Sequence, residues 1–182
     1  IGILVKYKFR GIHNGGFDYF SSIFEYLIRD YNKDSGKYAE YFTPLFAGNL
    51  IAEILYNDTQ FKSPVTIYDP SAGSGTLLLT LANRIGTANC NLYSQDISQK
   101  STHFLRINFL LNNLTQSFSN IIEGNTITNP QHVKEGEIKK FDVIVSNPPF
   151  KMDCSHMISN IESDTYNRFF AGIPKIPKKN KR

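Results

Sequence analysis

Thr66-Ile67-Tyr68-Asp69-Pro70-Ser71-Ala72-Gly73-Ser74-Gly75-Thr76-Leu77-Leu78-Leu79-Thr80-Leu81-Ala82 is the stretch that decides the fold. A short β-rich run enters a glycine turn and leaves as an apolar helical segment, so the order is strand, turn, helix. Gly73 and Gly75 permit φ > 0 and let a ligand approach the backbone closely. The third glycine of the dinucleotide fingerprint is missing, and so is the Gly-Lys-Ser/Thr of a phosphate loop. A nicotinamide or ATP site is therefore disfavoured. By itself the Gly-x-Gly is also common structural punctuation.

An acidic residue at the strand end, Asp69, suits a ligand carrying a positive group. The methionine ammonium of S-adenosylmethionine is such a group. The next strand candidate, Asn91-Leu92-Tyr93-Ser94-Gln95, ends at Asp96. An acidic residue about 20 positions after a glycine turn, at the tip of the second strand, can accept hydrogen bonds from two ribose hydroxyls. The alternative is that Asp96 caps the following helix, a role open to Ser98 as well. Upstream, Tyr41-Phe42-Thr43-Pro44 sets Thr43 as N-cap and Pro44 at the first helical position. Leu45, Leu50, Ile51, Ile54 and Leu55 then recur with spacing for one apolar face. A helix start accounts for Thr43 and Pro44 without any ligand.

Downstream, the apolar run Phe141-Asp142-Val143-Ile144-Val145-Ser146 ends in Asn147-Pro148-Pro149-Phe150. Methylation of a planar exocyclic amine needs such a tetrapeptide at a strand tip. The lone pair of an aryl amine is delocalised, so the nitrogen is a poor nucleophile. Two acceptors, the Asn147 side-chain oxygen and the Pro148 carbonyl, can hold its two N–H groups and favour a pyramidal nitrogen. The prolines fix φ and hold that carbonyl in place. Phe150 can stack on the base. The plain alternative is a strand followed by a proline turn.

Taken in order, these segments, with Gly16-Phe17-Asp18-Tyr19, Phe24-Glu25-Tyr26-Leu27-Ile28 and Gly124-Asn125-Thr126, resemble the modification subunit of type I restriction–modification systems. Those proteins are S-adenosylmethionine-dependent DNA adenine-N6 methyltransferases. The resemblance implies that Tyr41, Phe42 and Thr43 close over the methionine end of the cofactor. It implies that Asp69, Gly73, Ser74 and Gly75 line the methionine and sulfonium region, Asp96 the ribose and Asn125 the cofactor's adenine ring. Relatives often carry Asp where Asn125 stands; Asn can accept from an amino group and donate to a ring nitrogen. Asn147, Pro148 and Phe150 would form the target-adenine pocket. The implied partners are double-stranded DNA, a specificity subunit that reads the sequence and a restriction subunit that cleaves. The implied location is the cytoplasm of a bacterium or archaeon. Methyltransferases of RNA bases or of protein glutamine share an Asn-Pro-Pro-aromatic run and are the nearest rivals. A truncated, non-catalytic module that binds cofactor or partners is the rival from another class.

The expected fold is α/β: a partial Rossmann-like methyltransferase sheet with a small N-terminal helical segment. Residues 1–62 form that segment, with a helix from Asp18 carrying Phe20, Phe24, Leu27, Ile28 and Tyr31. Residues 63–150 form the core and 151–182 a loop and basic tail. Four strands are legible, around Thr66–Tyr68, Leu92–Gln95, Ser119–Glu123 and Phe141–Ser146; the resemblance implies that the first and fourth are adjacent in the centre. Val143 and Val145 on one face and Ile144 on the other predict a strand buried on both sides. Phe104, Ile107, Leu111 and Leu114 predict the buried face of a second helix. Residues 129–140 read as a polar surface loop, and 151–165 as aperiodic, either partly helical or disordered. The usual sheet has seven strands, so a fragment with an unpaired edge is expected. An opening Ile1 agrees with a partial chain.

With 182 residues, 14 Phe and 10 Tyr the chain is long and aromatic enough for a sizeable core. A net charge of +4, much of it in Lys175, Lys178, Lys179, Lys181 and Arg182, permits nucleic-acid contact without requiring it. Two cysteines, Cys90 and Cys154, make no disulfide framework, which fits a reducing compartment. Cys154 and His156 are too few for a metal site. No apolar run is long enough for a membrane span.

Overall fold

The computed structural model describes Ile23, Tyr26 and residues 43–58, 61–150 and 152–173. Tyr41, Phe42, the basic tail and nearly all of the expected helix from Asp18 lie outside them. Helix α1 (Leu45–Asp58) precedes β1 (Val65–Asp69), α2 (Thr76–Ile85), β2 (Cys90–Asp96), α3 (Gln99–Leu111) and β3 (Ile121–Glu123). A hairpin of β4 (Val133–Lys134) and β5 (Glu137–Ile138) comes next, then β6 (Val143–Ile144) and the short helix α4 (Ile158–Glu162). Among the described residues no helix is long and apolar enough to cross a membrane.

Strands β3, β2, β1 and β6 form one parallel sheet in that spatial order. The chain builds outward from β1 through β3, then returns to pair β6 on the other side of β1. This reversal is a topological switch point, where an open α/β sheet leaves a crevice at the carboxyl ends of its strands. The four expected strands are all present, and the first and fourth are neighbours: Ile67 pairs with Val143 and Tyr68 with Ile144. Their register is pinned at the lower end. The Thr66 N–H and hydroxyl donate to Asp142 Oδ2 at 2.8 and 2.7 Å, and the Asp142 N–H donates to Thr66 Oγ1 at 3.0 Å. At the upper end the Val145 N–H donates to the Tyr68 carbonyl at 2.9 Å.

Alternation along β1 and β2 puts Val65, Ile67, Cys90 and Leu92 on one face, where Leu78 and Leu81 of α2 and Leu105 and Phe109 of α3 complete the core. Each fully buried Leu or Phe contributes roughly 1.5–3 kcal/mol. The opposite face is covered by rings: Phe141 stacks on Tyr68 at 4.6 Å, and His132 meets Tyr68 and Tyr93 edge-on.

Four expectations need correction. Ile144 is not buried on the second face but 62% exposed, because the ring layer over Tyr68 and Tyr93 stops short of β6. In α1 the buried face is Gly48, Ala52 and part of Leu55, while Leu50, Ile51 and Ile54 are exposed. The reason is proximity: a Cβ at Gly48 would lie 3.0 Å from Thr80 Oγ1, so only small residues fit against α2. In α3, Ile107 is exposed and the buried set is Ser101, Thr102, Leu105, Asn108 and Phe109, because Leu105 and Phe109 pack under Gly75 and Asn108 donates to the Ser74 carbonyl. Leu114, past the end of α3, is fully buried as expected. Finally, residues 129–140 hold a hairpin whose turn residues Glu135 and Gly136 have φ of 56° and 84°. Positive φ at both turn positions suits the twist of a tight hairpin.

Candidate active site at the switch point

The glycine turn is built before any ligand is considered. Gly75 caps α2 in the left-handed region at φ 88°, and a Cβ there would fall 2.1 Å from Leu105 Cδ1. Its lack of a side chain therefore serves core packing, and only its backbone can face a ligand. Gly73 also has positive φ, 55°. The Asn108 amide donates to the Ser74 carbonyl at 2.8 Å, holding the turn from below.

Asp69 sits at the tip of β1, only 1% exposed, and Oδ1 accepts from the Ser71 N–H at 2.9 Å. Burial pushes its carboxyl up to about 7; the Ser71 N–H draws it down, and the nearby Asp96 charge raises it again. A buried carboxylate with little compensation is a receptor for a cation. Asp96, at the tip of β2, accepts from the Gly73 N–H through Oδ2 and from the Ser98 N–H through Oδ1, each at 2.8 Å. Ser98 is the N-cap of α3, its hydroxyl accepting from the Ser101 N–H. Each carboxylate oxygen of Asp96 keeps a lone pair for a further donor, such as a diol.

After β3 the Asn125 carboxamide folds onto its own backbone, Oδ1 accepting from the Ile127 N–H at 2.9 Å. Its Nδ2 points at the Met157 sulfur at 3.6 Å. The Thr126 hydroxyl donates to the Pro70 carbonyl at 2.7 Å, tying this loop to the glycine turn.

The Asn147 tetrapeptide stands on the same rim. Ser71 and Ser146 share a hydroxyl–hydroxyl hydrogen bond of 2.6 Å, and Asn147 Nδ2 donates to Thr43 Oγ1 at 3.2 Å. That second bond turns the Asn147 oxygen away from Thr43 and leaves it as an acceptor. Asn147, Pro148, Pro149 and Phe150 are all exposed, Phe150 by 85%, so they form an open ledge rather than a closed pocket. The structure thus brings together Thr43, Asp69, Gly73, Ser74, Gly75, Asp96, Asn125 and Asn147 along the rim at the carboxyl ends of four strands, with Pro148 and Phe150 continuing from Asn147 as the exposed ledge; Tyr41 and Phe42 lie outside the described residues. Helix α1 begins one residue later than expected, with the Pro44 carbonyl accepting from Ala47 and Gly48.

Sequence reasoning missed Ser71, Ser146, Thr126, Gln95 and Arg168. Buried Gln95 donates to the Asn129 carbonyl and accepts from the Gln131 N–H, and so fastens the loop after Asn125. These residues act through partners 34 to 75 positions away, so no local pattern marks them. The hairpin did leave a signal, the alternation around Glu135-Gly136.

This sheet order, with a glycine turn between two acidic strand tips, defines the Rossmann-like methyltransferase class. A family model described as N-6 DNA Methylase matches residues 16–182, and the chain belongs to that family. It is 32% identical over 156 residues to the type I restriction enzyme MpnII methylase subunit of Mycoplasma pneumoniae, covering 81% of this chain and 28% of that relative. It is similar in structure to the type I restriction-modification system methyltransferase subunit from Streptococcus thermophilus, with TM-score 0.66, 25% identity, and coverage of 80% of this chain and 31% of that one. A modification-subunit structure from Vibrio vulnificus shares the fold at TM-score 0.55 and 19% identity, over 73% of this chain and 28% of the other. The chain therefore spans less than a third of the length of these relatives.

Proposed function

We propose that the protein containing these residues transfers a methyl group from S-adenosylmethionine to the exocyclic N6 of adenine in DNA, as the modification subunit of a type I restriction–modification system. The observation that carries this reading is the Ser71–Ser146 bond, which sets the glycine turn and the Asn147 tetrapeptide side by side. The cofactor's chemistry fits the donor set: a buried, weakly compensated carboxylate for an ammonium, and a second carboxylate for a diol. When bound, S-adenosylmethionine supplies a methyl group made electrophilic by its sulfonium.

Asp69 receives the methionine ammonium, Asp96 the ribose hydroxyls and Asn125 the adenine ring, with Thr43, Gly73, Ser74 and Gly75 around the methionine end. The target adenine leaves the duplex at a cost of about a few kcal/mol and stacks on Phe150. Asn147 Oδ1 and the Pro148 carbonyl accept its two N–H groups and hold the nitrogen lone pair toward the cofactor side. The proton released from nitrogen passes to water. The chain's contribution is positioning and electrostatics, with no nucleophilic side chain required. Double-stranded DNA, a specificity subunit and a restriction subunit are the partners, and the cytoplasm is the compartment.

The test is radiolabelled methyl transfer by the full-length protein with its specificity subunit, offered duplex DNA, RNA and peptide in parallel. Duplex DNA is the expected acceptor. Asn147→Ala is expected to lower transfer by at least about 100-fold, with S-adenosylmethionine affinity unchanged within about twofold. Methyl acceptance by RNA or peptide in place of DNA would overturn the substrate, and retained transfer in the variant would overturn the role of Asn147.

A further inference from the structure

The segment after the tetrapeptide returns to the cofactor half of the site. Met157 and Ile161 are each 3% exposed, and the chain then turns through Asp164 to Arg168. Arg168 is held in place by Asp164: Nε donates to Oδ1 at 2.8 Å, Nη2 lies 2.6 Å from the same oxygen, and the backbone N–H donates to Oδ2 at 2.9 Å. With that face fixed, the guanidinium reaches across some 40 positions of sequence. Nη1 donates to the Thr126 carbonyl at 2.7 Å and Nη2 to the Ile127 carbonyl at 2.8 Å. Charge-assisted bonds of this length are among the stronger ones a protein makes, and the planar fork fixes both at once.

The two carbonyls belong to the residues directly after Asn125. Ile127 is gripped twice, its carbonyl by Arg168 and its N–H by Asn125 Oδ1. The Asn125 amide donor meets only the Met157 sulfur, a weak acceptor, supplied by the same returning segment. Thr126, between them, donates to Pro70 in the glycine turn. The backbone that carries Asn125 is thereby stretched between the cofactor turn and Arg168.

We propose that Arg168 is a positioning residue for cofactor binding. It holds the 125–127 loop, and Asn125 with it, at the place the proposed function gives to the cofactor's adenine ring, and it makes that placement depend on the folded segment behind the target-base tetrapeptide. The proposal rests on the Asn125 role given above. Arg168 itself need touch neither cofactor nor DNA.

The experiment uses the full-length protein with its specificity subunit. S-adenosylmethionine affinity is measured by calorimetry, and KM and kcat by methyl transfer, for Arg168→Ala, Arg168→Lys, Asn125→Ala and the Asn125→Ala/Arg168→Ala double variant. Arg168→Ala is expected to weaken cofactor affinity about tenfold and to raise its KM alike, with kcat at saturation kept within about threefold. Lysine, which offers a point charge and no fork, is expected to restore part of the affinity. The double variant is expected to bind no more weakly than Asn125→Ala, because both act through one contact. Unchanged affinity in Arg168→Ala, effects that multiply in the double variant, or a loss confined to kcat would each overturn the proposal. Should Arg168→Ala fail to fold, Asp164→Asn, which frees the guanidinium while keeping its charge, must weaken cofactor affinity in the same direction; no change overturns it. An Asn125→Ala variant with wild-type affinity would overturn the Asn125 role and this proposal with it. A weakened Asn125→Ala beside an unaffected Arg168→Ala would overturn this proposal alone.

Discussion

Asp69 is ionisable near neutrality because burial outweighs the donors in reach, the Ser71 N–H and the hydroxyls of Ser146 and Ser71. Its pKa, raised from 3.8 to about 7, has opposite consequences for folding and for binding. The folded chain holds a proton on Asp69 that the unfolded chain has released, so this residue's contribution to stability is present below the unfolded value and is lost as pH rises toward 7. A cationic ligand requires the ionised form. Cofactor affinity is therefore expected to rise about tenfold between pH 6 and pH 8, and Asp69→Asn is expected to abolish that dependence together with most of the affinity. The same variant is expected to melt a few degrees higher at pH 8, which thermal denaturation across pH would read. Asp164 takes no part in this window: burial pushes its carboxyl up, but Arg168 draws it below the usual carboxylate range, where it stays ionised. The acid at the end of β1 was legible from its place before a glycine turn. Its altered acidity was not, because that comes first from the depth of the site and then from the charge of Asp96, which only the folded sheet supplies.

At the scale of elements, the strands were read more truly than the faces of the helices. Each strand of the parallel sheet was legible in the sequence, while the hairpin strands β4 and β5 were read as a loop, and the adjacency of the first and fourth strands followed from the resemblance. Helix faces misled wherever close approach outweighed hydrophobicity. In α1 the large side chains turn away and Gly48 and Ala52 turn inward, so that the backbone can lie against α2. Gly48→Leu is accordingly expected to destabilise the chain by roughly 1–3 kcal/mol through overpacking against Thr80. Urea denaturation would measure this, and Thr80→Ala in the same chain should recover part of the loss. A polar contact likewise decided α3, where Asn108 occupies a core position because the Ser74 carbonyl needs a donor there. No apolar periodicity can report such a requirement. The aperiodic stretch after Phe150 yields a short helix and then a turn in which Asp164 holds Arg168 against the 126–127 carbonyls, charged residues that sequence alone places on a surface.

Across the whole molecule, the sheet is covered unevenly. One face carries α2 and α3, while the other carries rings over β1 and β2 and leaves Ile144 exposed. The chain spans less than a third of the length of the relatives it matches, and β6 has a ladder partner only in β1 among the described residues. An exposed apolar strand beside an unpaired edge invites association between copies. Ile144→Lys is expected to reduce light scattering by this 182-residue polypeptide at raised concentration. Its urea midpoint should stay unchanged, since little apolar area is buried there. The convergence of the glycine turn and the tetrapeptide was legible in outline, from the order of motifs. The hydroxyl pair that joins them was not, since each serine's partner lies 75 positions away and no local pattern pairs them.

That pair has one more implication. Ser71 and Ser146 extend the tips of adjacent strands, and the gap between adjacent strands is about 4.8 Å wherever a sheet forms. On the proposed reading, the cofactor turn and the target-base ledge are therefore set apart by the pitch of the polypeptide ladder. Side-chain changes along the rim can alter which molecules dock and for how long, while the spacing of the two loops that carry them follows from main-chain geometry common to every β-sheet.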